Sequence, residues 1–158
     1  MCEHDGEART SPARRLEPEL RAQPLERLGF AYDSSLGFAD APGFRAGIAH
    51  PFRPWDVEHD RPLDLVQIPL AAMDVTFSEE HYLGLSASEA ERRLIALVDW
   101  AAEHGGGFAV LWHTDRYDPA ISRGWDRLYL RLLEAVRARG GVCLGAGQLA
   151  EEAAAWLR

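Results

Sequence analysis

The chain contains no lysine and no asparagine, and only two cysteines, Cys2 and Cys143. All 17 of its positive charges are therefore arginines. With abundant Ala, Gly and Leu, that usage reads as GC-rich coding more than as function. The cysteines stand far apart and form no metal-type or redox spacing, so reduced thiols in a cytoplasmic setting are expected. No apolar run is long enough to cross a bilayer. The opening MCEHDGEARTSPARR has no hydrophobic core, which predicts no secretory leader. There is no glycine-rich phosphate loop, no G-x-S-x-G elbow and no CxxC. Positive charge is also in deficit: the formal net charge is -8. This argues against nucleic acid, whose counterions only a basic face displaces, and against an anionic membrane surface.

What remains is an ordinary globular composition, 47% hydrophobic and 27% charged over 158 residues. That length predicts one domain with a sizeable core. Residues 1–15 are polar and aperiodic and read as a flexible arm ahead of a domain over 16–158. Leu20, Leu25 and Leu28 fit a short helix that Pro24 should kink or restart, with Gly29 as its stop. FAYDSS reads as a strand. The Gly- and Pro-rich middle, 36–63, reads as an ordered folded-back loop because it holds Phe38, Phe44, Phe52 and Trp55. LDLVQIPLAAMD reads as a strand ending near Asp74.

Beyond it, Ser86-Ala-Ser-Glu89 has the form of a capping box. Ala90, Leu94, Leu97, Val98 and Ala101 follow at helical spacing, and Gly105 to Gly107 stop the helix. FAVLWH is the next strand. Leu128, Leu132, Ala135 and Val136 mark a helix over 125–139, VCLGA reads as a strand, and GQLAEEAAAWLR as a final helix. The alternation predicts an α/β fold of parallel strands covered by helices.

In such folds chemistry gathers beyond the C-terminal ends of strands. Asp33-Ser34-Ser35, Asp74 with Thr76, and His113 with Asp115 all fall there. An imidazole beside a carboxylate can serve as a general acid whose protonated form the carboxylate stabilises; the same histidine also reads simply as the cap of a strand. Arg45, set between glycines in GFRAG, reads either as an anchor for a carboxylate or substrate oxygen or as a loop-stabilising contact. His50, Asp56, His59 and Asp60 match no metal-ligand spacing and read as solvated loop residues. His104 falls in the last turn of its helix, where the dipole favours it.

Four stretches in order, GFAYDSSLGFAD, GFRAGIAHPFRPWD, VQIPLAAMDVTF and FAVLWHT, resemble the C-terminal half of the polysaccharide deacetylase family (the NodB-homology domain), in a branch of uncharacterised bacterial proteins. The resemblance runs from about Leu25 onward. It implies a partial (β/α) barrel and the removal of N-acetyl groups from a sugar or glycan. A divalent metal, usually zinc, activates the water in that family. Leu111 and His113 match its last motif, with His113 as the acid that protonates the leaving amine. Asp74 matches the residue that orients it, although the usual Asp-Trp pairing is absent. Arg15 stands in for the family's upstream arginine. Asp33 and Arg45 match the branch pattern, and Trp112 and Asp115 flank the acid as substrate-side or supporting positions.

The family's paired aspartates and histidine pair have no counterpart here. The resemblance therefore implies a chain that begins after the metal-binding half, binds no metal alone, and is catalytically incomplete. The alternative is a non-catalytic glycan-binding or interaction module that keeps the fold. A carbohydrate is the expected partner. An open sheet edge is expected as well, covered in part by 9–28 or by a pairing partner.

Overall fold

The computed structural model describes residues 18–157. The expectations for the polar arm, Arg15 and Cys2 fall outside those residues.

The first helix, α1 (Pro18–Arg27), runs continuously through Pro24 rather than restarting there. It closes on left-handed Gly29, with the Phe30 amide donating to the Leu25 carbonyl. Ala22 and Leu25 pack on Leu63 and Leu65. Polar contacts complete the docking: Gln23 Nε2 donates to Asp56 at 2.8 Å, and Arg61 grips both oxygens of Glu26.

Strands are short. β1 (Tyr32–Asp33) pairs in parallel with β4 (Val66–Gln67), and β5 (Leu70–Met73) pairs in parallel with β6 (Ala109–Leu111). The stretch expected as one strand before Asp74 is thus two pieces parted at Pro69, which has no amide to donate. The pieces still share one line. The amides of Val66, Ile68 and Leu70 face 31–36, while the Pro69 carbonyl accepts from Ala109 on the opposite side. The resulting order is β1, then β4 and β5, then β6.

The folded-back middle contains a small antiparallel hairpin, β2 (Trp55–Asp56) with β3 (Arg61–Pro62). Asp56 there is not a solvated loop residue, as its sequence context suggests. It is buried at the hairpin's centre and accepts from Gln23, from the amides of Glu58 and His59, and from His59 Nδ1. Burial opposes its charge, and these hydrogen bonds outweigh that and hold the carboxyl below its usual range.

The sheet is covered on both faces. A short helix α2 (Asp74–Ser78) follows β5 directly, and α3 (Ala87–His104) carries the full capping box at Ser86 and Glu89. With α4 (Trp125–Ala138), α3 buries Leu94, Val98, Leu128 and Leu132 against Ala72 and Val110. The last helix, α5 (Ala146–Trp156), packs on Val66, Ile68 and Ala109 instead. Ala109 and Val110 are neighbours in a strand, so their side chains leave opposite faces. A register shift between Leu70 and Ala72 makes the same exchange in β5.

Among the described residues this is a mixed α/β fold with no closed barrel. In a barrel all helices form one outer ring, whereas α5 and the α3–α4 pair lie on opposite faces. Among the described residues, β6 has no strand partner on its far side. The expected strand VCLGA is not formed. Gly140 is left-handed and the Gly141 amide is tied back to Val136, so the chain leaves α4 away from the sheet. Val142 is 73% exposed, and a cavity of about 670 Å³ lies between 142–144 and the edge of β6.

Candidate active site

β5 and β6 are adjacent and parallel, so their C-terminal ends deliver the next residues to one place. After β5 comes Asp74, the first residue of α2, whose side chain is wholly buried. After β6 comes His113, which precedes a 3-10 turn, Thr114–Tyr117. The two meet: His113 Nδ1 lies 2.6 Å from Asp74 Oδ1. An ionised carboxylate can only accept, and against one the imidazole places its proton on Nδ1. The Nε2 atom is then left outward, on an imidazole 45% exposed. A neutral ring in this tautomer offers a lone pair at Nε2, and a protonated one offers an N–H there. The geometry is that of a proton donor or acceptor with an orienting carboxylate.

The 3-10 turn brings a third member that sequence reasoning missed. Arg116 Nε donates to Asp74 Oδ2 at 2.9 Å, and Nη2 donates to Glu79 Oε1 at 2.8 Å. Nη1 reaches the buried Ser122 hydroxyl at 3.2 Å, and the guanidinium lies 5.7 Å from the centre of the Trp125 ring. Burial works against this charge, but the hydrogen bonds it donates to Glu79 and Asp74 prevail and raise Arg116 above the usual arginine value. Asp74 thus spends one oxygen on the imidazole and the other on the guanidinium. The only sequence signal for Arg116 was its place one turn beyond His113; its partners stand 42 and 37 residues away.

An aromatic group backs the pair. Trp112 lies 5.9 Å from Trp125 and 5.3 Å from Tyr129, ring centre to ring centre. Its indole N–H is buried with no hydrogen-bond partner among the described residues. Tyr117 meets Tyr129 edge-on and keeps a half-exposed face. Burial first, then the Tyr129 hydroxyl and the charge of Asp74, push the Tyr117 phenol above its usual range.

The other expected positions do different work. Arg45 donates to the Gly37 carbonyl at 3.1 Å and lies over the Phe38 ring, which makes it a brace of its own loop. Asp33 closes a local turn through the amide and hydroxyl of Ser35. Thr76 is buried and donates to the Ala39 carbonyl, pinning α2 to the folded-back loop. Leu111 is half exposed at the end of β6, and Asp115 is exposed in the first turn after His113. Among the described residues, no group of three or more His, Cys, Asp or Glu side chains is placed to hold a metal ion. No described helix is long and apolar enough to cross a membrane.

No family model, curated protein or solved structure matches the chain.

Proposed function

We propose that this chain carries the proton-donor side of a polysaccharide deacetylase-type site, with His113 as the acid and Asp74 as its orienting partner. The observation that supports the reading is the 2.6 Å contact between an outward-facing imidazole and a fully buried carboxylate at the ends of two parallel strands. The substrate class is a sugar or glycan bearing an N-acetyl group. In the reaction, water gives up a proton to the base that the family carries in its metal-binding half, its oxygen bonds to the amide carbonyl carbon, and the carbon–nitrogen bond breaks. The leaving nitrogen takes its proton from Nε2 of His113 and departs as an amine, beside acetate. The imidazolium before that transfer is stabilised by Asp74 through Nδ1–H.

In the deacetylase family a divalent metal activates the water. The described residues do not provide its ligands, so the step assigned to them is proton transfer alone, and activation of the water falls to the metal added in the test. The half-exposed Tyr117 ring, on the turn that follows the imidazole, favours a second reading. In that reading the same cleft holds a glycan without cleaving it, an aromatic face packing on the apolar face of a sugar.

The test is acetate release from N-acetylglucosamine oligomers by the full chain, with and without added zinc. The first reading expects release that His113→Gln lowers by about 10²- to 10⁴-fold, the usual contribution of a positioned acid. Binding of the oligomers with no acetate under either condition would leave the module reading instead.

A further inference from the structure

We propose that Arg116 is the positioning residue of the His113–Asp74 pair, holding the imidazole in the one tautomer that turns Nε2 to the outside. The inference concerns how the proposed acid is kept ready, and so rests on that reading of His113. Its experiment, however, needs no substrate.

A guanidinium has five donors and no acceptor. Arg116 therefore demands an unprotonated oxygen at Asp74 Oδ2, 2.9 Å away. The carboxyl group is wholly buried, where a lone charge is disfavoured. Without a fixed cation beside it, the pair has a second arrangement once it takes a proton from solvent: that proton sits on Oδ1 and is donated to a bare Nδ1, with the ring's own proton on Nε2. That arrangement removes the acceptor from the outward nitrogen. That neutral acid would still offer Oδ2 to Arg116, so the guanidinium opposes it by charge: a fixed cation 2.9 Å away favours the carboxylate over the acid, and the carboxylate leaves Oδ1 to accept from Nδ1.

Arg116 is itself held in place. Glu79, which follows α2, takes Nη2, Ser122 meets Nη1, and Trp125 of α4 lies along the guanidinium. These contacts come from two separate parts of the chain, Glu79 after α2 and the 122–125 segment that opens α4, so the guanidinium is held from both sides. Its side chain is only 12% exposed, against 45% for His113. The inner partner is fixed and the outer one is accessible, which is the order a positioned acid needs.

Nitrogen-15 NMR of the histidine side chains, in the full chain at a pH where the ring is neutral, reads the tautomer directly, with His113→Gln assigning the signal. The wild-type chain is expected to show His113 with its proton on Nδ1. Arg116→Lys, still a donor-only cation, keeps that tautomer. Arg116→Gln, which can turn an acceptor or a donor to Asp74, shifts a substantial share of the ring to Nε2–H. If acetate release is found, Arg116→Gln also lowers it by about 10- to 100-fold, as loss of an orienting partner does. A wild-type ring predominantly in the Nε2–H form would overturn the proposal without any variant. So would a folded Arg116→Gln chain whose tautomer matches the wild type. A failure to release acetate, with these tautomers as expected, would sink the deacetylase reading and leave this one standing.

Discussion

Asp74→Asn changes one atom in the buried pair and isolates its contribution. The carboxyl accepts from two donors, His113 Nδ1 and Arg116 Nε, one on each oxygen. Asparagine keeps one acceptor and puts an NH₂ where the second was. Whichever way the amide turns, a donor faces a donor. If the NH₂ faces His113, the imidazole must give up its Nδ1 proton; if it faces Arg116, a largely buried guanidinium loses its inner partner. A hydrogen bond to a charged group is worth about 1.5–3 kcal/mol, and removing one partner of a buried ion pair costs up to about 3–5 kcal/mol. Glu79 still holds the guanidinium from outside, so the lower half applies, about 2–3 kcal/mol. For a chain of this size that lowers the melting temperature by roughly 5–10 °C. The control is Glu79→Gln, which touches the same guanidinium from a side chain 44% exposed. An exposed pair is worth only about 0–1 kcal/mol, so this variant should melt within about 3 °C of the parent. Calorimetry or circular dichroism measures both. Equal melting of Asp74→Asn and the parent, or a larger loss from Glu79→Gln, would refute the account of which carboxylate matters.

Three other expectations concern the scaffold. Glu26 sits at about 2, below its ordinary 4.5, because Arg61 and the Asp64 amide bond to it; its folded value is depressed, so its contribution is present above 4.5 and is lost as the pH falls toward 2. Acid titration of thermal stability should therefore show the gap between wild type and Glu26→Gln closing over that range. Leu94→Ala, at a side chain 1% exposed in the α3–α4 core, should cost about 2–5 kcal/mol in urea unfolding, while Leu130→Ala, 58% exposed on α4, should stay within about 0.5 kcal/mol. Gly106→Ala places a methyl 2.5 Å from the Ala49 side chain and 3.0 Å from its carbonyl oxygen, so it should cost about 1–3 kcal/mol by the same assay, and an unchanged midpoint would mean that 49 and 106 are not packed as described.

Local rules carried the sequence reading furthest where the physics is itself local. The Ser86–Glu89 box and the left-handed Gly105 that ends α3 are contained within a few residues, and both are found where their motifs stand. The meeting of Asp74 and His113 was legible for a related reason: two strands that run parallel as neighbours must release their chains at the same end. Arg116 was not legible, since nothing in HTDRYD distinguishes it from other arginines until α2 and α4 arrive around it. Asp56 was hidden in the same way, because Gln23, its partner from α1, is 33 residues distant. VCLGA failed differently. Its residues suit a strand, but Gly140 and Gly141 fold the chain back onto the end of α4 before it can reach β6. The parallel α/β part of the expectation is met, but no closed barrel forms among the described residues, where α5 covers the face opposite α3 and α4.

The most direct test of the central claim is where a glycan touches the protein. Backbone amide spectra of the full chain, titrated with N-acetylglucosamine oligomers, should shift first at 111–117 and at Asp74, around the outward nitrogen of His113. Shifts confined to the 105–110 and 142–144 walls of the cavity beside β6, or no shifts at saturating oligomer, would contradict a carbohydrate site at that imidazole.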